Sequence, residues 1–318
     1  MFGFNDKIIF KDKNIDILTI GELLVDMISE EYGDNFESST YNRYFGGSPA
    51  NIAINTKRLG INSSIASCVG SDGLGQFLIS SLKEVGIDTG CVDIIRNSTS
   101  LVLVTKSKAT PIPIFYRDAD FHLSYNDGLK YALKNCKIMH FSCWPISKQP
   151  SRTTIELAIE AARNNGVLVC FDPNYHPMLW EENEDGIEYV KSIIGKVDII
   201  KPSEDDATRI FGKDSNENQI KKFLKLGAKL VIMTLGGKGA IVSNGIETIV
   251  MDTLAREVVD TTGAGDAFWS GFYAAIIKGY TFKEALRLGL AVSAYKLKYI
   301  GAVVKLPSLE QIKNCYGL

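Results

Sequence analysis

Histidine is scarce in this chain, and the three present lack the spacing of a zinc site. Cysteine occurs six times without forming a Cys-x-x-Cys pair, and several cysteines sit inside apolar runs, as Cys170 does in Val-Leu-Val-Cys-Phe. They read as reduced core thiols of a cytoplasmic protein. Neither charge is in excess: 35 lysines and arginines face 37 aspartates and glutamates, a formal net charge of −2. That excludes the basic face of a nucleic-acid binder and the polybasic arm of a membrane-surface protein. No apolar stretch is long enough to span a bilayer, and the opening Met-Phe-Gly-Phe-Asn-Asp-Lys lacks the apolar core of a secretion signal, so no membrane partner is expected. Two nucleotide signatures are missing as well. No Gly-x-x-x-x-Gly-Lys-Ser/Thr occurs, which excludes an ordinary P-loop enzyme, and no Gly-x-Gly-x-x-Gly follows the first strand pattern, which counts against a nicotinamide oxidoreductase.

Apolar residues make up 45% of the chain, enough for a sizeable core. Buried strands are expected at Ile15–Ile20, 64–69, 138–141, 167–171, 197–200 and 230–235, and helices at 151–165, 183–195, 217–226 and 284–298. Repeated strand–helix units give an α/β protein with a mostly parallel central sheet flanked by helices. Ligands of such sheets sit at the carboxyl ends of the strands. Asp172-Pro173-Asn174, Lys201-Pro202-Ser203-Glu204-Asp205-Asp206 and Thr234-Leu235-Gly236-Gly237-Lys238-Gly239 fall at three of those ends. Residues 1–14 read as an extension with room for a short strand at Ile8-Ile9-Phe10. Between 92 and 116 the pattern shortens to two residues, with hairpin strands at 101–104 and 112–116 and an edge marked by Pro111 and Pro113.

The chain is organised around Asp260-Thr261-Thr262-Gly263-Ala264-Gly265-Asp266-Ala267-Phe268. The apolar pair Val258-Val259 reads as a strand end, and Phe268, Phe272 and Ile276 open a helix. A helix N-terminus offers unpaired amides and a positive dipole end, and small residues let a phosphate approach them. A carboxylate beside such an anion site has one useful role, which is to take the proton of a hydroxyl that attacks the bound phosphorus. Upstream, Gly46-Gly47-Ser48-Pro49-Ala50-Asn51 opens another helix, where paired glycines permit close backbone approach.

Both runs, in this order, match the two signatures of the ribokinase/PfkB family of carbohydrate kinases, and the chain is similar to that family over roughly residues 15 to 310. The resemblance implies a Rossmann-like ribokinase fold in a single domain, 1–318, with a small β-sheet lid inserted at about 30–45 and 92–122. It implies ATP and Mg²⁺ and transfer of a phosphoryl group to a small-molecule sugar. Asp266 is then the base and Gly263, Ala264 and Gly265 the anion hole. Asp26, Gly46, Gly47, Asn51, Arg117 and Asn174 line the sugar pocket. Lys201, Thr234, Gly236, Gly237, Gly239, Ala291 and Ala294 serve ATP. Asp260 and Thr262 match the part of the motif that holds a monovalent cation such as K⁺, and the lid is a surface through which two copies would pair.

Two positions depart from the family pattern. Ser203-Glu204-Asp205-Asp206 stands where Asn-x-x-Glu is usual, so Asp206 would hold Mg²⁺ through water, its reach being one methylene shorter. His176 stands where many relatives have arginine. Phe-Tyr-Arg at 115–117 and Phe-Asp-Pro-Asn-Tyr at 171–175 resemble fructokinases and 2-keto-3-deoxygluconate kinases more than nucleoside kinases. A pocket acid at Asp26 favours a neutral sugar, so fructose is expected ahead of the sugar acid. A sugar-binding protein without activity is disfavoured by the intact Asp266 loop.

Overall fold

The computed structural model describes residues 2–33, 36–106 and 113–318. In chain order its strands are β1 (Ile15–Ile20), β2 (Leu24–Tyr32), β3 (Tyr41–Gly46), β4 (Ser63–Gly70), β5 (Val92–Ile95), β6 (Leu101–Lys106) and β7 (Ile114–Tyr116). They continue with β8 (Cys136–Ser142), β9 (Leu168–Asp172), β10 (Ile199–Ile200), β11 (Leu230–Thr234), β12 (Ala240–Ser243) and β13 (Thr248–Met251). A nine-stranded sheet runs in the order β13-β12-β11-β10-β9-β8-β1-β4-β5. It is parallel from β5 to β11, and β12 alone runs in reverse, pairing antiparallel with β11 and with the edge strand β13. β1 is an interior strand, with Ile17 opposite Ser63 on one side and Ile138 on the other. The sheet is covered on both faces, so its strands carry near-continuous apolar runs.

Alternation along β1 divides the core in two. Leu18 joins a cluster with Phe141, Phe171, Ile155, Val190 and Phe223, under helices Ser151–Asn164, Gly186–Ile194 and Asn216–Lys225. Ile17 joins the opposite cluster with Trp269, Phe272, Tyr273, Leu288 and Val292, under helices Ala264–Ile277 and Phe282–Lys296. Those last two helices cross with almost nothing between them. A Cβ on Gly271 would lie 2.6 Å from Val292 Cγ2, and one on Gly289 would lie 2.9 Å from the Phe268 carbonyl oxygen. The Thr281–Glu284 capping box fixes where the second helix begins. Helix Ala264–Ile277, which carries Asp266, is thereby held rigidly under the sheet.

The lid is a separate four-stranded sheet, β3-β2-β6-β7. Its bounds differ from the expected ones. It starts at Leu24, because the apolar run Leu23-Leu24-Val25 leaves the central sheet after Gly21 and pairs with β3 and β6. β5, expected within the lid, pairs parallel with β4 and extends the central sheet. β6 and β7 form the expected antiparallel pair, while Pro111 and Ile112 lie outside the described residues. Two expected strands are not formed. Ile8-Ile9-Phe10 is irregular, with Ile9 94% exposed. Val258-Val259 is irregular too: Val259 N–H donates to the Leu297 carbonyl at a helix end, 2.7 Å away, instead of to a strand. Among the described residues no helix is long and apolar enough to cross a membrane.

The Gly271 crossing is directly testable. Gly271→Ala adds a methyl where the neighbouring helix already stands, and overpacking of this kind costs about 1–3 kcal/mol. The urea midpoint is expected to fall accordingly with an unchanged m-value; an unchanged midpoint contradicts the close crossing.

Candidate active site

Gly263 is the N-cap of helix Ala264–Ile277 and has φ 72°, a left-handed conformation that favours glycine. A Cβ there would also stand 2.7 Å from the Ala302 Cα. The turn places Asp266 in the first helical turn, where its carboxylate is buried. Ser48 Oγ donates to Asp266 Oδ1 at 2.6 Å and Asn51 Nδ2 to Oδ2 at 2.9 Å. Both donors come from helix Ser48–Arg58, whose N-cap Gly47 has φ 101°. The two glycine-led helix starts named by the sequence therefore meet at one carboxylate. Burial raises the Asp266 pKa, while the bonds from Ser48 and Asn51 and the charges of Lys201 and Lys296 oppose that rise. The positive dipole end of the helix, which favours the ionised carboxylate, is thus set against desolvation.

Other acids close around it. Glu22, just after β1, accepts from the Ser48 amide at 3.0 Å and is almost fully buried. Its pKa is pushed up to about 8, chiefly by burial. Asp26 on β2 is pushed up to about 7 by burial, with the charge of Asp266 adding to the effect. Its carboxylate lies over Gly46, where a Cβ would collide with it. Asp172, at the end of β9, is paired with Lys201 at 2.9 Å and accepts from Trp269 Nε1 at 2.8 Å. Its other oxygen, Oδ1, is buried without a hydrogen-bond partner among the described residues. The Lys201 ammonium lies 3.3 Å from where a Gly265 Cβ would be, so it faces the Gly263–Gly265 turn. Asn174 is exposed in the next turn, at φ 39°.

A cavity of about 230 Å³ opens on the other side of the Asp266 turn. Thr234, Gly236, Gly237 and Gly239 line one wall, Ala264 and Gly265 the floor, and Ser293, Ala294 and Leu297 the far wall. Gly236 and Gly237 have open space where a side chain would be. A second cavity of about 380 Å³ adjoins it at Val258 and Thr261 and lies under the lid residues Ile28, Tyr44 and Val104. One space thus reaches the Thr261–Gly265 turn from the glycine loop, and another reaches it from the small sheet.

Several expected placements are revised. Ala291 does not reach the cavity but is packed in the core with Phe272 and Leu288; the helix presents 290, 293, 294 and 297 to the cavity, so 291 falls on the other face. The Ala264 amide is turned to the Thr261 carbonyl at 3.1 Å, which removes it as a free anion donor. Asp206 folds back as the N3 member of a capping box. Its Oδ2 accepts from Ser203 N at 3.0 Å and Ser203 Oγ at 2.6 Å, and its Oδ1 from Tyr175 N at 2.7 Å. With both oxygens taken up at its own helix start, Asp206 is not free to reach out as an ion ligand. Arg117 is spoken for as well. Nε and Nη2 donate to Asp120 Oδ2 at 3.0 and 2.7 Å, Nη1 to Ser147 Oγ at 2.6 Å, and the guanidinium stacks over Trp144. Glu22 is the residue the sequence reading passed over; an acid inside Gly-Glu-Leu-Leu-Val was its signal.

A family profile described as pfkB family carbohydrate kinase matches residues 14–309. The ATP-dependent 6-phosphofructokinase of Thermoanaerobacterium thermosaccharolyticum is 66% identical over 318 residues, covering 100% of this chain and 99% of that protein. The solved fructokinase of Halothermothrix orenii has 41% identity and a TM-score of 0.81, covering 90% of this chain and 100% of that one. An E. coli protein described as a ribokinase II, solved with ATP and Mg²⁺, has 27% identity and a TM-score of 0.83 over 94% and 98% of the two chains.

The raised pKa of Glu22 sets a pH dependence. A glutamate with a folded-state pKa near 8 and an unfolded value of 4.5 disfavours folding once the unfolded chain ionises. Stability is lost as pH rises from about 4.5 to about 8, at most about 1.4 kcal/mol for each whole step in pH. Glu22→Gln keeps an acceptor for Ser48 and removes that loss. Urea melts of the two proteins across this range are expected to diverge in favour of Glu22→Gln as pH rises; a difference that is flat in pH contradicts the assignment.

Proposed function

The chain belongs to the pfkB family of carbohydrate kinases, and on that premise we propose that it transfers the γ-phosphate of ATP to a hydroxyl of fructose 6-phosphate. The observation that carries the kinase reading is Asp266 itself: a buried carboxylate, fixed by Ser48 and Asn51, between the glycine-lined cavity and the acids under the lid. The phosphosugar is favoured by the 66% identity, over the whole chain, to a protein named for that substrate.

Phosphoryl transfer depends on positioning and on neutralising charge. The sugar hydroxyl oxygen attacks the γ-phosphorus, its proton passes to the Asp266 carboxylate, and ADP leaves. A base whose pKa is raised by burial suits that role better than an ordinary aspartate. Lys201 and the helix start at Gly265 offset the phosphate charge. Thr234, Gly236, Gly237 and Gly239 receive the nucleotide, with Ala294 on its far side. Among the described residues no group of three or more His, Cys, Asp or Glu side chains can hold a metal alone. Magnesium therefore fits as an ion carried largely by phosphate oxygens and water, with the unpartnered Asp172 Oδ1 as the protein oxygen nearest in chemistry to its needs. When bound it supplies charge neutralisation.

Free fructose is the second reading. Its support is the acid-rich pocket of Glu22, Asp26 and Asp266, which suits a neutral ring, and the fructokinase likeness at 41% identity. 2-Keto-3-deoxygluconate loses support, because the arginine meant to grip its carboxylate is already engaged by Asp120.

Steady-state kinetics decide the order: kcat/KM for fructose 6-phosphate is expected to exceed that for fructose, and the reverse order would overturn the phosphosugar assignment. Asp266→Asn is expected to lower kcat by about 10²–10⁴-fold while leaving the melting temperature close to that of the parent. Turnover within a few-fold of the parent would remove Asp266 from the role of base.

A further inference from the structure

The loop expected to hold a monovalent cation does not fit a bare ion. Every polar atom of Asp260 already has a partner. Its N–H points to the Leu297 carbonyl at 3.3 Å. Its Oδ1 accepts from the Thr262 amide at 2.9 Å and its Oδ2 from the Gly301 amide at 2.7 Å. Its carbonyl oxygen accepts from Lys296 Nζ at 2.7 Å. Lys296 ends helix Phe282–Lys296, and its side chain is fully buried. A lysine is almost never wholly buried unless its charge is matched. Here the Asp260 carboxylate is 3.9 Å from Nζ, and Asp266 is the other acid whose charge acts on it. No other reason for so costly a burial stands beside it: Lys296 spans no surface and covers no solvent-facing apolar patch.

We propose that the Lys296 ammonium is a tethered cation, occupying the place beside the anion turn that a monovalent metal ion would fill, and that the enzyme works without one. It is a positioning residue: through Asp260 it holds the Asp260–Gly265 turn in register with Gly301, and it places a fixed positive charge near the carboxylate of Asp266. This goes beyond the sugar-kinase reading and rests on it only for the activity assay, since the ATP-binding assay needs no sugar.

The test has two parts. ATP affinity by isothermal titration calorimetry and turnover with fructose 6-phosphate are measured in choline chloride and in KCl, NaCl or NH₄Cl at one ionic strength. The parent is expected to change less than about fivefold in either quantity, below the usual range for coupling between two bound ligands. Stimulation by K⁺ beyond that overturns the proposal, whatever the variants do. Lys296→Ala is then expected to lose about 10²-fold or more in turnover in choline and to become cation-dependent, with K⁺ or NH₄⁺ restoring part of both ATP affinity and turnover. A folded Lys296→Ala protein that is equally active in every salt, or equally inactive in every salt, overturns the proposal, because neither behaviour is that of a displaced cation. Should Lys296→Ala not fold, Lys296→Met keeps the apolar stem and is read by the same criteria. If fructose 6-phosphate proves not to be the substrate, the calorimetry still separates the outcomes.

Discussion

The desolvation of one carboxylate governs the arrangement of the rest of the site. Asp266 stands at a helix start, away from water, and could not remain there as an anion without compensation. Its two hydrogen bonds come from a helix that begins more than two hundred residues earlier in the chain, so the requirement is met only when both halves of the molecule are assembled. The Ser48 amide in turn reaches Glu22 at the end of β1. One acid thus ties together the end of β1 and the two helices that start beside it.

The surrounding charges follow from the same constraint. Glu22, Asp26, Asp172 and Asp206 are all pushed above ordinary carboxylate values, with burial as the largest cause in each. Two lysines, 201 and 296, are the cations whose charge reaches Asp266. Such a balance suits a polyphosphate at the lysine-facing turn, and a sugar hydroxyl rather than a charged group beside the acids. The glycines share in this. At Gly47 a Cβ would strike the Glu22 carbonyl, and at Gly46 one would strike Asp26, so the acids can lie this close only against bare backbone.

The two signature runs were legible because their demands are local. Glycines at left-handed positions and small residues at a helix start are written in adjacent letters, and the parallel sheet is written in repeated apolar runs. Less was legible wherever a side chain could choose between neighbours. Arg117 finds Asp120 three residues on, but also Trp144 and Ser147, whose approach depends on how β8 ends. Asp206 had an N-cap serine three residues back and closed on it. Ala291 and Ala294 look alike in sequence, yet three positions along a helix separate the core from the cavity. Lys296 gave no sign at all: in a Lys-Leu-Lys run it reads as one more solvated charge, and only the fold sets it against the Asp260 carbonyl. The lid boundary was misplaced because a strand that leaves one sheet to enter another keeps the same apolar letters.

Asp26 belongs to the lid sheet, not to the central one. The pocket's acids are therefore divided between two bodies: Glu22 and Asp266 are fixed to the sheet and its helices, while Asp26 arrives with β2. On the proposed reading, displacing that small sheet would take one oxygen from the acceptor side and leave the nucleotide side intact, so that the discrimination between a sugar hydroxyl and water would be linked to the seating of the small sheet itself.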